Sequence, residues 1–317
     1  QVKTITAQIN TDPDRVLASY SYDPAGRMVT QTDTRTGMVT GYGWTGTGTD
    51  SRLATITPPG QSAYTFEYTG NKLMRVARPN PVGGTAQVAA FVYDVPLTGT
   101  IPGLTNPADT VAKWAQKSVP THLYATFGMD QAIAGAPAAG AEAWKYAQLQ
   151  LADDDGFTVN TASFAAGDWQ YTGADYDTHE NVVRSWDVRA TRYLRDHPGS
   201  DPLAAATINT YNDVVVDGQG KTLTAAGTLL LQTLSPVREV SSAGQVKALR
   251  TRTTTSFDQG APNGGINPGT GQPYRLPTRT LVEAVDTNNN VVETLSTTFT
   301  GYEALVAGDR SGWELGQ

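Results

Sequence analysis

The chain has 317 residues, 32 of them glycine, 18 proline and none cysteine, and a formal charge of −7 with only 17% charged residues. That composition can bury a substantial core and favours turns and strands over helices. It argues against nucleic acid and anionic membranes as partners, because no Lys/Arg run exists to bind them, and it removes disulfides, thiolate catalysis and thiolate zinc sites.

Strand-like sequence starts at once, over residues 2 to 9, from Gln1 and without Met. The chain is therefore expected to be a piece of something longer. No apolar run approaches the roughly twenty residues of a membrane helix, and no positively charged start precedes an apolar segment. Residues 1 to 94 read as three to four hairpins, with turns at Asp12-Pro13-Asp14, Asp23 to Gly26, Pro58-Pro59-Gly60 and Gly70-Asn71. The sharpest is Tyr20-Ser21-Tyr22-Asp23-Pro24-Ala25-Gly26-Arg27-Met28. Its tyrosines lie two apart and share a strand face. Asp23 to Gly26 fits a type I turn in which Asp bonds its own backbone, Pro presets φ and Gly takes φ > 0. An aromatic beat recurs at intervals of 22 residues through Tyr22, Trp44 and Phe66, and again at Phe91-Val92-Tyr93-Asp94. A repeat of hairpin size follows.

From residue 95 to 170 the beat stops and Ala, Pro and Gly dominate. This stretch reads as an ordered insertion, with short helices over 108 to 117 and 131 to 134, and a long hairpin around Asp153-Asp154-Asp155-Gly156. Repeat-like sequence resumes over 171 to 317 at Tyr176-Asp177-Thr178-His179-Glu180-Asn181-Val182, Tyr211-Asn212 and Phe257-Asp258. One short helix is expected over 187 to 196. Turns are expected at 217 to 220, 241 to 244, 263 to 271 and 288 to 290, before a strand around 295 to 299.

Tyr20 to Arg27 matches YxYDxxGR closely, and Tyr176 to Val182 matches YDxxGNV except that Glu180 stands where Gly is usual. In these strings the chain resembles the Rhs or YD-repeat family: bacterial Rhs polymorphic toxins, wall-associated YD proteins, the BC components of insecticidal toxin complexes, and teneurins. The segments 256 to 263 and 271 to 277 resemble actinobacterial members. The resemblance implies a curved antiparallel sheet of YD hairpins forming a hollow shell around a C-terminal toxic polypeptide, or an adhesion scaffold in teneurins. It implies adjacent YD repeats and the enclosed toxin as partners, and a secreted or cell-surface location. Family cores that release a toxin end in an aspartyl self-cleavage motif, Asp-Pro-x-Gly-Leu; here Asp201-Pro202-Leu203 lacks the Gly.

The chemistry-bearing strings are few. Val214 to Thr222 runs a strand into Gly220-Lys221-Thr222, but the first Gly of a phosphate loop would fall at Val215. Leu151 to Gly156 and Asp286 to Asn290 echo calcium loops without their ligand sets; the three carboxylates Asp153 to Asp155 leave adventitious calcium as the alternative to a solvated turn. His122, His179 and His197 lack ligand spacing, and no Gly-x-Ser-x-Gly elbow exists. Asp175 and Asp177 are a conceivable glycosidase pair, against the plainer reading as turn residues. The 14 tyrosines and 6 tryptophans either stack across strands or form a sugar surface.

No catalytic, cofactor-binding or metal residue is therefore assigned. The expectation is an all-β, curved antiparallel sheet of hairpins with an inserted mixed α/β segment. Its domains would be hairpins over 1 to 94, an insertion over 95 to 170, and repeat-like hairpins over 171 to 317. The function expected is non-catalytic and structural. The alternatives are a surface adhesion or carbohydrate-binding β module, for which Trp44 and Trp169 would be the stacking residues, and a propeller-type hydrolase.

Overall fold

A computed structural model describes residues 1–8, 15–242, 244–303 and 313–315. The turn expected at 12 to 14 lies outside these residues, as does part of that at 241 to 244. The chain is all-β with small helical elements, and its sheets are large and antiparallel. It divides into two compact units: Gln1–Leu104, His122–Gln150 and Ser163–Trp169 form the first; Thr105–Thr121, Leu151–Ala162 and Gln170–Gln317 form the second.

In the first unit β1 (Thr4–Ala7), β2 (Arg15–Tyr22), β3 (Met28–Asp33), β4 (Met38–Thr45), β5 (Arg52–Thr57), β6 (Tyr64–Thr69), β7 (Lys72–Arg78), β8 (Gln87–Val92) and β9 (His122–Phe127) pair in sequence order, each antiparallel to the next. The expected insertion thus does not stop the ladder at its first strand. The aromatic beat ends after Tyr93, yet β9 pairs with β8 through Ala90, Phe91 and Val92. Pairing is a backbone property and does not need the beat. Residues 95 to 170 also supply β10 (Ala147–Ala152), β11 (Thr158–Ala165), β12 (Asp168–Tyr171) and the helix α1 (Pro107–Val111).

Helix α1 begins where Asn106 accepts the Ala108 amide and Pro107 takes the first helical position, where its missing N–H costs nothing. It tightens into a 3-10 turn over Ala112–Trp114 and stops at Ala115, whose φ is +53°. The helix expected over 108 to 117 is thus half as long. That expected near 131 is a 3-10 turn, Met129–Gln131. Helix α2 (Val188–Asp196) starts where Asp187 accepts the Ala190 amide at 2.7 Å.

The main sheet of the second unit runs β13 (Gly173–Tyr176), β14 (Val182–Trp186), β15 (Thr207–Tyr211), β18 (Leu230–Leu234), β20 (Gln245–Phe257), β23 (Pro277–Val285) and β24 (Val291–Phe299), with β19 (Arg238–Ser242) also pairing β20. Two small hairpins sit inside connections of this sheet. The pair β16 (Val215–Val216) and β17 (Thr222–Thr224) lies between β15 and β18, and β21 (Ile266–Asn267) with β22 (Gln272–Pro273) lies between β20 and β23.

Each unit has its own aromatic core. In the first, Phe127, Trp144 and Trp169 are at most 1% exposed, with the Phe127 and Trp144 rings 5.7 Å apart. In the second, Trp114 and Trp186 are buried together with Val111, Leu151, Val159 and Leu194. The same core holds a closed amide pair. Gln116 Oε1 accepts from Trp114 Nε1 and Asn160 Nδ2, each at 2.8 Å, and Gln116 Nε2 donates to Asn160 Oδ1 at 2.9 Å. Buried polar atoms are tolerable only when paired in this way.

Candidate functional site

The strings that invited a chemical reading turn out to be copies of one turn. In the Asp23 hairpin the Asp23 amide donates to Arg27 O at 2.9 Å, the Gly26 amide to Asp23 O at 2.9 Å, and the Arg27 amide to Asp23 Oδ1 at 2.9 Å, with Gly26 at φ +83°. Asp153 receives the Phe157 amide in the same way at 3.0 Å, Asp177 that of Asn181 at 3.0 Å, Asp217 that of Lys221 at 2.9 Å, and Asp286 that of Asn290 at 2.9 Å. In each, the aspartate amide also bonds the carbonyl four residues on, and the fourth residue of the turn is left-handed: Gly156, Glu180, Gly220 and Asn289 at +87°, +68°, +82° and +64°. The carboxylate acts here as a surrogate main-chain acceptor. The Gly220-Lys221-Thr222 string, both calcium-like loops and the His179 turn are all of this kind, the first as the hairpin turn expected of it.

The hairpins share more than the turn. Tyr22 pairs with Met28 and Ser21 with Thr30, which leaves Val29 as an extra residue on the returning strand. The same one-residue shift leaves Val183, Leu223 and Val292 after Asp177, Asp217 and Asp286. It also leaves Ala54 and Met74 in hairpins that lack the aspartate. A bulge at this place bends the strand and increases its twist.

The aromatic before the turn reaches back to the preceding hairpin. Tyr22 Oη donates to Val2 O at 2.6 Å, Trp44 Nε1 to Met28 O at 2.8 Å, Tyr93 Oη to Leu73 O at 3.0 Å, Tyr176 Oη to Thr158 O at 2.9 Å, and Tyr302 Oη to Pro277 O at 2.8 Å. Met28 and Thr158 each stand five residues after a turn aspartate, so the acceptor recurs at one place in the repeat. Basic side chains clasp successive tips of the first unit. Arg27 donates to Gly46 O and Ser51 Oγ, Arg52 to Asn71 Oδ1, and Lys72 to Asp94 Oδ2. In the second unit Asn181 Nδ2 does the same to Gly227 O at 2.8 Å.

Two hairpins keep the clamp while enclosing an excursion. Asn212 Oδ1 accepts the amides of Thr228 and Leu229 at 3.0 and 2.7 Å, and the Asn212 amide donates to Leu229 O. Asp258 accepts those of Arg275 and Leu276, each at 2.9 Å, and its amide donates to Leu276 O. The small β16–β17 and β21–β22 hairpins are what these clamps enclose. The sequence singles out Tyr211-Asn212 and Phe257-Asp258 as repeat positions but gives no sign of the clamp, because the amides come from residues far along the chain.

The clamp lowers the pKa of Asp23, Asp177 and Asp286, and the amides of its own turn lower that of Asp33. The Arg27 amide, with the Arg27 guanidinium at 2.7 Å, holds Asp23 below the ordinary carboxylate value, and the Thr36 and Arg35 amides do so for Asp33. The Asn290 side chain and amide lower Asp286. Burial opposes the shift at Asp177, but the Asn181 and His179 amides outweigh it and the group is lowered.

The remaining candidates occupy structural places. Asp175 is buried on β13, pairs with Arg184 and accepts the Lys117 and Ser118 amides at 2.7 and 3.1 Å, while Asp177 serves its own turn. His122 stacks on Tyr124 and His197 on Tyr193. Among the described residues no three His, Asp or Glu side chains cluster as metal ligands. Trp169 is 1% exposed and donates to Pro102 O, and Trp44 has the Arg27 guanidinium 6.0 Å from its ring centre. Leu203, after Asp201-Pro202, gives its carbonyl to Arg250 Nη2 at 3.0 Å. No helix among the described residues is long and apolar enough to cross a membrane.

No protein-family model matches the chain, and no curated protein matches it. Among solved structures it is similar to the crystal structure of TcdB2-TccC3-Cdc42, at 11% identity and a TM-score of 0.32. It is also similar to the Photorhabdus luminescens Tc holotoxin pore, at 12% and 0.29, and to the crystal structure of TcdB2-TccC3-TEV, at 11% and 0.29. Each similarity covers 94% of this chain, which spans 14% of the other.

Proposed function

We propose that the chain is a non-catalytic structural segment of a YD-repeat β-shell that encloses or presents a C-terminal toxin polypeptide. The observation that carries this reading is the recurrence of a single device, in which an aspartate clamp closes the turn, a bulge follows it, and an aromatic ties the hairpin to its predecessor. The engagement of polar side chains in structural contacts supports this reading. The turn carboxylates accept their own amides, Asp175 is paired with Arg184, and the described histidines stack on tyrosines or sit in a turn. Such a unit builds wall area by repetition, because each hairpin contacts its neighbours and presents the same edge to the next. The resemblance of Tyr20 to Arg27 and Tyr176 to Val182 to YD repeats points the same way.

In this reading the partners are further YD repeats of a longer polypeptide and the enclosed toxin, and the location is secreted or cell-surface. Electron cryo-microscopy of the full-length polypeptide containing this chain tests it. A β-walled chamber with a second polypeptide segment inside is the expected image. A solid β sandwich, or a chamber that holds no polypeptide, would contradict the proposal.

A further inference from the structure

Val214, Val215 and Val216 are 54%, 47% and 51% exposed, three consecutive apolar side chains at and before β16. A run of that kind on a surface is a fault unless it is used. Among the described residues β16 pairs with β17 alone, and none of them pairs with its outer edge. The Asp217 amide donates to Lys221 O across the turn. The Asp217 backbone therefore faces β17. Alternate residues of an antiparallel ladder face opposite ways, so the N–H and C=O of Val216 point to the outer side.

This edge is held in place from several directions. The Asn212 clamp closes the excursion at its base, the Asp217 clamp closes its tip, and Arg275 Nη2 donates to Leu223 O at 2.8 Å on β17. An edge fixed before binding spares the ordering cost of docking. The flanking charges then select the partner, because Asp213 and Asp217 bracket the three valines. A second copy of the strand laid antiparallel about Val215 would set Asp213 opposite Asp217, and directly opposed like charges are unfavourable.

We infer that β16 is a docking edge that accepts, by strand addition, an extended segment of another polypeptide whose β-branched apolar residues are flanked by Lys or Arg. Main-chain bonds to Val216 supply the attachment, the valines pack on the apolar side chains, and the exposed Asp213, aided by the charge Asp217 keeps while its Oδ1 holds the Gln219 and Lys221 amides, reads the flanking bases. This partner is independent of whatever the sheets enclose.

The test is fluorescence anisotropy of the full chain with a labelled peptide of three valines between lysine pairs, beside the same peptide with glutamates in place of the lysines. The lysine peptide should bind saturably, with the glutamate peptide on the order of tenfold weaker, since two opposed charge pairs change sign between them. Val216→Pro removes the outward N–H without touching the bonds to β17 and should abolish binding; Asp213→Lys, at an exposed position, should narrow or reverse the preference. Equal binding of the two peptides, no saturable binding, or self-association of the chain that Val216→Pro abolishes would each overturn the inference.

Discussion

Glu180 offers the sharpest check on the clamp. It holds φ +68° in the slot that Gly26, Gly156 and Gly220 fill in the same turn. An L-residue there costs about 1–2 kcal/mol. Glycine avoids that cost but loses about 0.5–1 kcal/mol more conformational entropy on folding. The Glu180 side chain is exposed and makes no hydrogen bond among the described residues, so nothing else offsets the strain. Glu180→Gly should therefore stabilise its turn by about 0.5–1 kcal/mol. Gly220→Ala is the mirror experiment: a Cβ there meets nothing within 4 Å, so the cost is conformational alone and similar in size. Native-state hydrogen exchange reads each turn at the amide that the carboxylate holds. Protection of the Asn181 amide should rise about two- to fivefold in Glu180→Gly, and that of Lys221 should fall by a similar factor in Gly220→Ala. Lower protection at Asn181, with Lys221 unchanged, would refute the equivalence of the two turns.

Gly227 is at φ +72°, and a Cβ there would come within 2.7 Å of His179 Cβ and Asn181 Nδ2; Gly227→Ala should cost about 2–4 kcal/mol in urea unfolding, the left-handed strain plus overpacking against a turn that cannot move freely. Gln116→Met removes the acceptor shared by Trp114 and Asn160 and should destabilise the second unit by about 2–5 kcal/mol, read from the same unfolding curves, while Asn160→Leu in that background should recover part of the loss. The folded pKa values of Asp23, Asp33, Asp177 and Asp286 lie below the ordinary value. Their contribution to stability is complete above an unfolded value of about 3.9 and is lost as pH falls through the lower folded values. Urea midpoints should hence be insensitive to these groups from pH 8 to 5 and drop below about pH 4, and Asp286→Asn should remove part of that drop while keeping the turn, since Asn212 closes its loop through an amide oxygen.

Much of this architecture is legible from residues whose chemistry is local. Asp23-Pro24-Ala25-Gly26 specifies its own turn, bulge and positive φ, because each effect acts within five residues. The helix after Asp187 and the turns at 217 to 220 and 288 to 290 are visible for the same reason. What the sequence hides are pairings at a distance. Tyr22 and Trp44 mark the beat, but their bonds to Val2 and Met28 carbonyls depend on how hairpins stack. Glu180 breaks the motif as a string yet keeps its conformation, because the surrounding main-chain bonds impose φ > 0 on whichever residue is present. The continuity of β8 into β9 is hidden too: the loss of aromatics after Tyr93 looks like the end of a sheet, whereas the backbone goes on pairing. The acidic loops are ambiguous in sequence for a similar reason, since acid–x–x–Gly is shared by ion-binding loops and by turns whose carboxylate accepts amides of its own chain, as at Asp153 and Asp217.

The central claim is that the aspartates at 23, 153, 177, 217 and 286 are backbone clamps. Amide exchange across the intact chain, measured with and without millimolar calcium and magnesium–ATP, tests it most directly. The account predicts slow exchange at the amides of Arg27, Phe157, Asn181, Lys221 and Asn290, unchanged by either addition. Rapid exchange at these amides without ligand, slowed by calcium at Phe157 or Asn290 or by the nucleotide at Lys221, would show instead that the carboxylates and the glycine loop await a ligand.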